Sequence, residues 1–300
     1  MGVVLLSLNK TYLFILIPSF VFLLYNSQIL PENELRLPLT NRAFQYNDGF
    51  FETIILENGT LRFWPEHQAR IKEAASVLGL TLPKELLNKD FLSLIRQLAE
   101  QNQCGNLARV KLKVWRAGEG LYTPQTDAAD WLVTAHPMQK APIAPLQVGI
   151  CQTVRTLPSP FSSFKGIQSP VYVLASREKA LRSFDDLILL DPSGNLAELT
   201  YSNLFWVKGE TLYTPGLQTG CLNGIMRRKL LQWALRRNWQ VNEGLFQPNE
   251  LTAADAVFSG NVTGLRIIQS LEGKNLTSKP QLITQLQEEV FAGQTTNAGL

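Results

Sequence analysis

A proline-rich run near the middle of the chain constrains the fold more than any other feature of the sequence. Residues 136–145 read His-Pro-Met-Gln-Lys-Ala-Pro-Ile-Ala-Pro and show neither helical nor strand periodicity, which favours an extended linker. Helix-like and strand-like patterns lie on both sides of this run in a chain of 300 residues, a length that suits two ordinary domains. We therefore predict two α/β domains, at residues 21–136 and 148–300, joined by a linker at 137–147.

The first domain shows strand and helix patterns in alternation. Asn58-Gly59 is a strong hairpin signal between apolar segments, and Pro65 and Gly79 mark the start and the end of the first helix. Strands are predicted at residues 22–26, 49–56, 61–64, 109–116 and 131–135. Helices are predicted at residues 65–78 and 83–103.

The second domain also mixes strands and helices. Ser169-Pro170 is a favourable N-cap and first-turn pair for a helix, and the fully apolar residues 187–190 are typical of a buried strand. Strands are predicted at residues 148–154, 187–190, 204–207, 212–214 and 256–258. Helices are predicted at residues 170–182, 224–238 and 280–291.

Residues 1–20 precede the first predicted strand and admit several interpretations. Residues 13–25 are nearly all apolar and follow Lys10, as in a signal peptide, but no small-residue cleavage site comes after them. The stretch is short for a membrane span, and Pro18 interrupts it. We favour a chain that begins near Val21, with residues 1–20 arising from an upstream start assignment. A targeting segment and a real extension are the alternatives.

The charge balance bears on the partners. The net charge is +3, and basic and acidic residues are interspersed along the chain. Nucleic-acid binding usually needs a concentrated basic face, so we predict neither a nucleic-acid nor a membrane partner. The basic runs at residues 227–229 and 236–237 are short, and we interpret them as solvated helix faces.

The cysteines and histidines narrow the chemistry further. Cys104, Cys151 and Cys221 are an odd, scattered set, which gives neither a disulfide framework nor a metal-binding spacing. A reducing cytoplasm is therefore the expected location. His67 and His136 are too few for a multi-histidine metal site or a Ser-His-Asp triad, and we predict no metal.

A lysine and a carboxylate point to a cofactor. Lys165 follows a Pro/Ser-rich loop and precedes a helix, and a lysine desolvated in such a place has a lowered pKa and becomes nucleophilic. Glu198 lies between an apolar strand and Asn203. Taken singly, such residues are more common as a solvated loop lysine and an exposed strand carboxylate. Together, an amine for a Schiff base and an anion for a pyridinium nitrogen suit pyridoxal phosphate.

A phosphate site completes this set. Gly224 begins a long helix, and the first N–H groups of a helix, here at Ile225 and Met226, lack intrahelical partners. Thr263 lies in a second loop with a glycine and offers a hydroxyl. Arg70, on the first helix, presents a fork suited to phosphate. An ordinary helix start and a solvated arginine are the alternative interpretations.

These segments together resemble the class IV aminotransferase family, the fold-type IV pyridoxal-phosphate enzymes. The resemblance covers about residues 22–290 and rests on five ordered matches, at residues 41–52, 66–71, 165–175, 198–205 and 214–227. It implies an α/β (α+β) fold of two domains, with a smaller N-terminal α/β domain and a larger C-terminal domain built on a mixed sheet. It also implies a homodimer that acts on a small molecule.

The resemblance implies a role for each matching residue. Lys165 would carry the Schiff base and act in catalysis. Pyridoxal 5'-phosphate would be bound by Arg70, Lys165, Glu198, Asn203, Gly224, Ile225, Met226 and Thr263. Substrate contacts are expected from Phe51 and from Arg116, which would meet a carboxylate.

Within the family, the sequence is most similar to the lyases that convert 4-amino-4-deoxychorismate to 4-aminobenzoate, a folate precursor, and pyruvate. This similarity lies at residues 114–122, 203–215 and 223–227. An aminotransferase acting on branched-chain or D-amino acids with 2-oxoglutarate is the alternative, since it would use the same lysine. A catalytically silent scaffold would be favoured by loss of Lys165 or Glu198, and both are present.

Overall fold

The computed structural model describes residues 2–8, 11–17, 21–140 and 144–292, with side chains described from residue 21 onward. The strands are β1 (Gly2–Leu8), β2 (Thr11–Ile17), β3 (Phe22–Tyr25), β4 (Gln28–Pro31), β5 (Gly49–Glu57), β6 (Thr60–Leu61), β7 (Leu107–Arg116), β8 (Ala129–Pro137), β9 (Leu146–Ile150), β10 (Asp186–Leu190), β11 (Leu196–Leu199), β12 (Asn203–Lys208), β13 (Thr211–Pro215), β14 (Gln240–Gly244), β15 (Ala256–Asn261), β16 (Gly264–Leu271) and β17 (Lys274–Asn275). The α-helices are α1 (Arg42–Tyr46), α2 (Trp64–Leu78), α3 (Lys89–Gln101), α4 (Pro170–Leu181), α5 (Ile225–Arg236) and α6 (Pro280–Ala292).

The first domain is an antiparallel sheet with two helices on one face. Its strand order is β4-β3-β8-β7-β5-β6. On β7, Val110, Leu112 and Val114 are buried in the core that the sheet forms with α2 and α3, and Lys111 belongs to the opposite face. This alternation follows from the two-residue period of a strand. One face of the sheet therefore carries cations.

The second domain is a mixed sheet that closes on itself. Its strand order is β11-β10-β9-β16-β15-β12-β13-β14, and an additional pairing of β11 with β12 closes a ring of six strands. The closing pair is Glu198 opposite Asn203. β9 runs parallel to β10 and to β16, whereas β12 and β15 are antiparallel. Helices α5 and α6 pack against one face through a second apolar cluster.

Two separate sheets confirm the predicted α/β class and the two-domain arrangement. The domain limits, including a first domain that begins near Val21 and a linker at 137–147, stay predictions. Residues 1, 9, 10, 18–20 and 141–143 lie outside the described residues. None of the helices in the described ranges is long and apolar enough to cross a membrane.

Two predicted elements in the first domain were wrong in extent. The return strand of the hairpin was expected over residues 61–64, but β6 ends at Leu61 because Phe63 adopts a left-handed backbone, with φ of 54°, and α2 begins directly after it. The single helix expected over residues 83–103 is a short 3-10 turn followed by α3. Asn88 separates the two, since its side chain accepts from the N–H of Asp90 and caps α3.

The basic run at residues 227–229 was wrongly interpreted as a solvated helix face. Arg227 is buried, and Lys229 pairs with Glu66 at 3.0 Å. Arg228 pairs with Glu73 at 2.5 Å. Both carboxylates belong to α2, so these cations join α5 of the second domain to α2 of the first.

Candidate active site

The backbone of Lys165 is joined to the first domain. The N–H of Phe51 donates to the carbonyl oxygen of Lys165 at 2.8 Å, and the N–H of Ile167 donates to the carbonyl of Gly49 at 3.1 Å. Gly49 and Phe51 lie on β5. The edge of β5 is open here because β6 pairs only with the far end of β5. The loop of the second domain thus acts as a short added strand, and it fixes the position of the lysine.

The side chain of Lys165 lies between two cavities and lines both. The first cavity, of about 920 Å³, is lined by residues that include Arg70, Arg109, His136, Glu198, Asn203, Gly224, Ile225, Met226 and Thr263. The second cavity, of about 850 Å³, is lined by residues that include Phe51, Arg116, Tyr122 and Phe161. The structure therefore brings all the predicted cofactor residues to one cavity and both predicted substrate residues to the other.

The surroundings of Lys165 favour its neutral form. Nζ lies 5.7 Å from the ring centroid of Phe51. Burial of the ammonium lowers the pKa of Lys165, and the nearby Arg70 lowers it further, whereas Glu198 and Glu52 act in the opposite direction. An amine with a lowered pKa serves as a nucleophile and a base near neutral pH.

Glu198 is a buried carboxylate with donors on both oxygens. The hydroxyl of Tyr172 donates to Oε1 at 2.7 Å, and the N–H of Leu222 donates to Oε2 at 3.2 Å. Burial raises the pKa of Glu198 to about 7, although these hydrogen bonds and the charge of Lys165 oppose the shift. A carboxylate in this setting is stabilised by any further cationic donor that reaches it from the cavity.

The first turn of α5 has no capping side chain. Gly224 is its N-cap, and no side chain caps the helix. A Cβ at Gly224 would lie 2.0 Å from Oδ1 of Asn203, whose Nδ2 donates to the carbonyl of Leu222 at 2.8 Å. The first N–H groups of a helix lack intrahelical acceptors and attract anions. The glycine therefore makes room for the side chain of Asn203, and the N–H groups at the helix start can attract an anion such as phosphate.

Arg70 belongs to a buried ionic cluster that the sequence did not reveal. Its Nε and Nη2 donate to the two oxygens of Glu52 at 2.7 and 2.6 Å, and Nδ1 of His67 lies 2.7 Å from Glu52 Oε2. Arg70 and Glu52 are each about 2% exposed or less. The carboxylate thus holds one edge of the guanidinium, while Nη1 lies 3.5 Å from the carbonyl of Asn223 near the start of α5.

The neighbours of Glu52 lower its pKa strongly. Arg70 and His67 lower the pKa of Glu52 to about 2 from its usual 4.5, although burial alone would raise it. Burial lowers the pKa of His67, so the imidazole is neutral and donates from Nδ1 to the carboxylate. Glu52 is therefore ionised at neutral pH and stays so until the pH falls toward 2.

Glu52→Gln is expected to lower the free energy of unfolding by on the order of 3 kcal/mol at pH 7, because it leaves a buried guanidinium without its anion. Since the folded pKa of Glu52 is depressed, its stabilisation is present above about pH 4.5 and is lost as the pH falls toward 2. Urea unfolding at pH 7 and pH 3.5 checks both points. The loss should be smaller at pH 3.5, and the exposed Glu100→Gln serves as the control; an equal loss at both values would contradict the assignment.

Thr263 and Arg116 line the cavities as predicted residues, but both have hydrogen-bond partners within the chain. The hydroxyl and the N–H of Thr263 both bond to Asn261 Oδ1, at 2.6 and 2.8 Å, within the turn that lines the first cavity. Arg116 lines the second cavity, but its Nε donates to Asp48 at 3.0 Å and its Nη1 to Asp127 at 2.6 Å, with further bonds to backbone carbonyls such as that of Leu78. This guanidinium is already paired within its own chain, and its contact with a substrate carboxylate stays a prediction.

Two other basic residues of the first domain, both on β7, lie near this site. Arg109 and His136 face each other across β7 and β8 and line the first cavity. Nζ of Lys111 lies 4.7 Å from the ring centroid of Phe51. Burial lowers the pKa of Lys111, and Lys113 and Arg109 lower it further. Within the described part of the chain, Arg109 and Lys111 form no ion pair with a carboxylate.

Sequence reasoning missed Glu52, His67, Tyr172 and Lys111 as parts of the site. Glu52 had one usable signal, since it is a charged residue within the apolar run of β5, and a buried charge needs a partner. Tyr172 had none, because a tyrosine early in a helix is ordinary. Lys111 had only the alternation of β7 as a signal, and this indicates no more than a polar side chain on one face of a strand.

Comparison with known proteins identifies the family of this chain. The family model for class IV amino-transferases matches residues 49–271. The aminodeoxychorismate lyase of Vibrio harveyi is 27% identical over 235 residues, which cover 76% of this chain and 84% of that protein. A probable branched-chain-amino-acid aminotransferase of Rickettsia felis is 26% identical over 259 residues, 85% of this chain and 87% of that protein.

A solved structure extends the comparison to three dimensions. The 4-amino-4-deoxychorismate lyase of Pseudomonas aeruginosa superposes with a TM-score of 0.76 at 25% identity, covering 89% of this chain and 97% of that one. The chain thus has relatives with two different named activities at similar identity.

Proposed function

Because the chain belongs to the class IV aminotransferase family and is a pyridoxal-phosphate enzyme, we propose that it is a lyase that converts 4-amino-4-deoxychorismate to 4-aminobenzoate and pyruvate. One observation carries the choice of substrate: Arg109 lines the same cavity as Lys165, and Lys111 lies over the Phe51 ring that Lys165 also approaches. Within the described residues, neither Arg109 nor Lys111 pairs with a carboxylate. This substrate has two carboxylates, whereas a branched-chain amino acid presents an apolar side chain. Unpaired cations at a cavity favour the anionic substrate. The named activity of the Vibrio harveyi relative supports the same choice.

The residues of the first cavity fit the cofactor. The uncapped start of α5 offers N–H donors to a phosphate, and Nη1 of Arg70 lies next to it, 3.5 Å from the carbonyl of Asn223. Gly224 makes room there for the side chain of Asn203. Glu198 offers its carboxylate to a protonated ring nitrogen, and Lys165 offers its amine to the aldehyde. Bound there, the cofactor supplies a sink for the electron pair released when a C–H bond breaks.

In this proposal Lys165 has two successive tasks. Its amine first holds the cofactor and is displaced by the amino group of the substrate. The freed amine then takes the proton from the ring carbon that bears the nitrogen, because its lowered pKa leaves it partly neutral. Loss of enolpyruvate, which would take up the proton held by Lys165 to give pyruvate, would make the ring aromatic. The first task would then run in reverse, as the amine of Lys165 displaces 4-aminobenzoate from the cofactor. Glu198 meanwhile holds a proton at the ring nitrogen of the cofactor.

A single comparison of substrates tests the proposal. The purified protein, loaded with pyridoxal phosphate, is given enzymatically prepared 4-amino-4-deoxychorismate without any keto acid, and pyruvate and 4-aminobenzoate are measured. Catalytic release of both supports the lyase. Release of neither, together with turnover of branched-chain or D-amino acids once 2-oxoglutarate is added, would replace it by an aminotransferase.

The cationic wall gives a second test within this proposal. Lys111→Met is expected to raise KM for 4-amino-4-deoxychorismate about tenfold, because a charge-assisted contact to a carboxylate is lost. Lys113→Met is the matched control, since Lys113 is an exposed cation on the same strand, whereas Lys111 is partly buried and lies over the ring of Phe51 that Lys165 also approaches. Steady-state kinetics check the difference; equal KM values for the two variants would remove Lys111 from the substrate site.

A further inference from the structure

A turn of the second domain is held by an arginine of the first domain. The turn connects β15 to β16, and its residues Val262 and Thr263 line the first cavity. Nη1 of Arg62 donates to the carbonyl oxygen of Val262 at 2.9 Å, across 200 residues of sequence. Because the peptide plane is rigid, fixing this carbonyl also fixes the N–H of Thr263, which donates to Asn261 Oδ1.

The guanidinium of Arg62 is itself fixed on several sides. Nη2 donates to Glu57 Oε2 at 2.5 Å, and the guanidinium carbon lies 4.9 Å from the ring centroid of Phe291 on α6. Its side chain is 11% exposed. A planar fork can pair with a carboxylate, donate to a carbonyl and stack on a ring at the same time, which an ammonium cannot do.

The next residue anchors this segment in the second domain. Phe63 has a left-handed backbone, with φ of 54°, yet it is 2% exposed. Its ring packs in the apolar cluster of α5 and α6, with its centroid 5.2 Å from that of Phe291. Such a strained backbone persists only where the surroundings fix the residue. The strained backbone places Arg62 against the turn on one side and leads into α2, which carries Arg70, on the other.

We propose that Arg62 is a positioning residue for the phosphate end of the cofactor site. It holds the Val262–Thr263 turn in place from the opposite domain, while Arg70 of the same segment lies at the start of α5. The phosphate then binds only where the two domains are correctly docked. This inference rests on the proposed phosphate site, and it does not depend on which reaction the enzyme catalyses.

The test compares two ligands that differ in the phosphate alone. Pyridoxal phosphate and pyridoxal are each titrated into cofactor-free protein, with binding followed by tryptophan fluorescence. Arg62→Met is expected to weaken binding of pyridoxal phosphate about tenfold and to leave pyridoxal unchanged. Arg62→Lys, which keeps the charge, should show a smaller loss of the same kind and decides the matter if Arg62→Met does not fold. Arg96→Met is the control, because Arg96 donates to the carbonyl of Gly59 within the first domain.

The outcomes separate this inference from the proposed site. An equal loss for both ligands would show a merely structural role for Arg62, and no loss for either would show none; both results overturn the inference. Arg70→Met is measured in parallel. If Arg70→Met lowers the preference for pyridoxal phosphate and the Arg62 variants do not, the inference alone fails. If Arg70→Met also leaves that preference unchanged, the proposed phosphate site fails.

Discussion

Replacing Lys165 by alanine is expected to lower kcat by at least roughly 10³-fold, because the variant lacks both the nucleophile and the general base. Its fold should persist, since the contacts that join this loop to β5 are made by the backbone of Lys165 and Ile167. The measurement is the rate of pyruvate release under saturating 4-amino-4-deoxychorismate, together with the visible absorbance of the protein mixed with pyridoxal phosphate.

Lys111→Ala is the matched control, because it removes a neighbouring ammonium from the same region while Lys165 remains. This control should keep the visible absorbance. A Lys165→Ala protein that retained more than about a tenth of the wild-type kcat would contradict an essential amine. An unchanged visible spectrum in that variant would place the cofactor's covalent attachment on another residue.

Replacing Glu198 by glutamine is expected to lower kcat roughly 10²-fold, because a neutral amide cannot hold a proton at the ring nitrogen of the cofactor. The amide has one oxygen, so the hydroxyl of Tyr172 and the N–H of Leu222 no longer both have an acceptor. Steady-state kinetics at constant pyridoxal phosphate measure the loss. Glu210→Gln, at an exposed turn between β12 and β13, is the control, and equal rates for both variants would exclude Glu198 from the reaction.

Glu198→Gln also changes how the stability of the protein depends on pH. The folded pKa of Glu198 is raised to about 7 from 4.5, so the folded cofactor-free protein binds this proton more tightly than the unfolded chain does. Its contribution to stability is present below about pH 4.5 and is lost as the pH rises toward 7. Glutamine does not titrate, so the stability of Glu198→Gln relative to wild type should increase as the pH rises from 5 to 8. Urea unfolding of the cofactor-free proteins measures this difference.

The parts of the fold and site that the sequence predicted are those with local signals. The hairpin at Asn58-Gly59 and the glycine-led start of α5 depend on residues that are neighbours in sequence. Lys165 and Glu198 were singled out by the apolar strands next to them. Short-range turn chemistry and periodicity carry such information, and the structure places these residues at one cavity.

The parts that the sequence did not predict depend on contacts between distant elements. Glu52 and Arg70 meet only because α2 packs on β5. Arg116 looked free at the end of a strand, but Asp48 and Asp127 reach it from separate loops. Arg227 looked solvated, but it is buried against Glu243 of β14 and the carbonyl of Pro215 at the end of β13. In each case, the partner that decides the role of a charge is brought in by tertiary packing.

The added strand at the edge of β5 also bears on how the protein matures. Phe51 and Lys165 are far apart in sequence, and pairings between distant segments form late in folding. The first domain emerges first during synthesis, with this edge still open. Until the second domain docks, Lys165 remains a hydrated ammonium like any surface lysine, without the burial that lowers its pKa. A partly synthesised chain therefore has no specially activated amine at this position, because the burial that lowers the pKa of Lys165 arises only in the completed molecule.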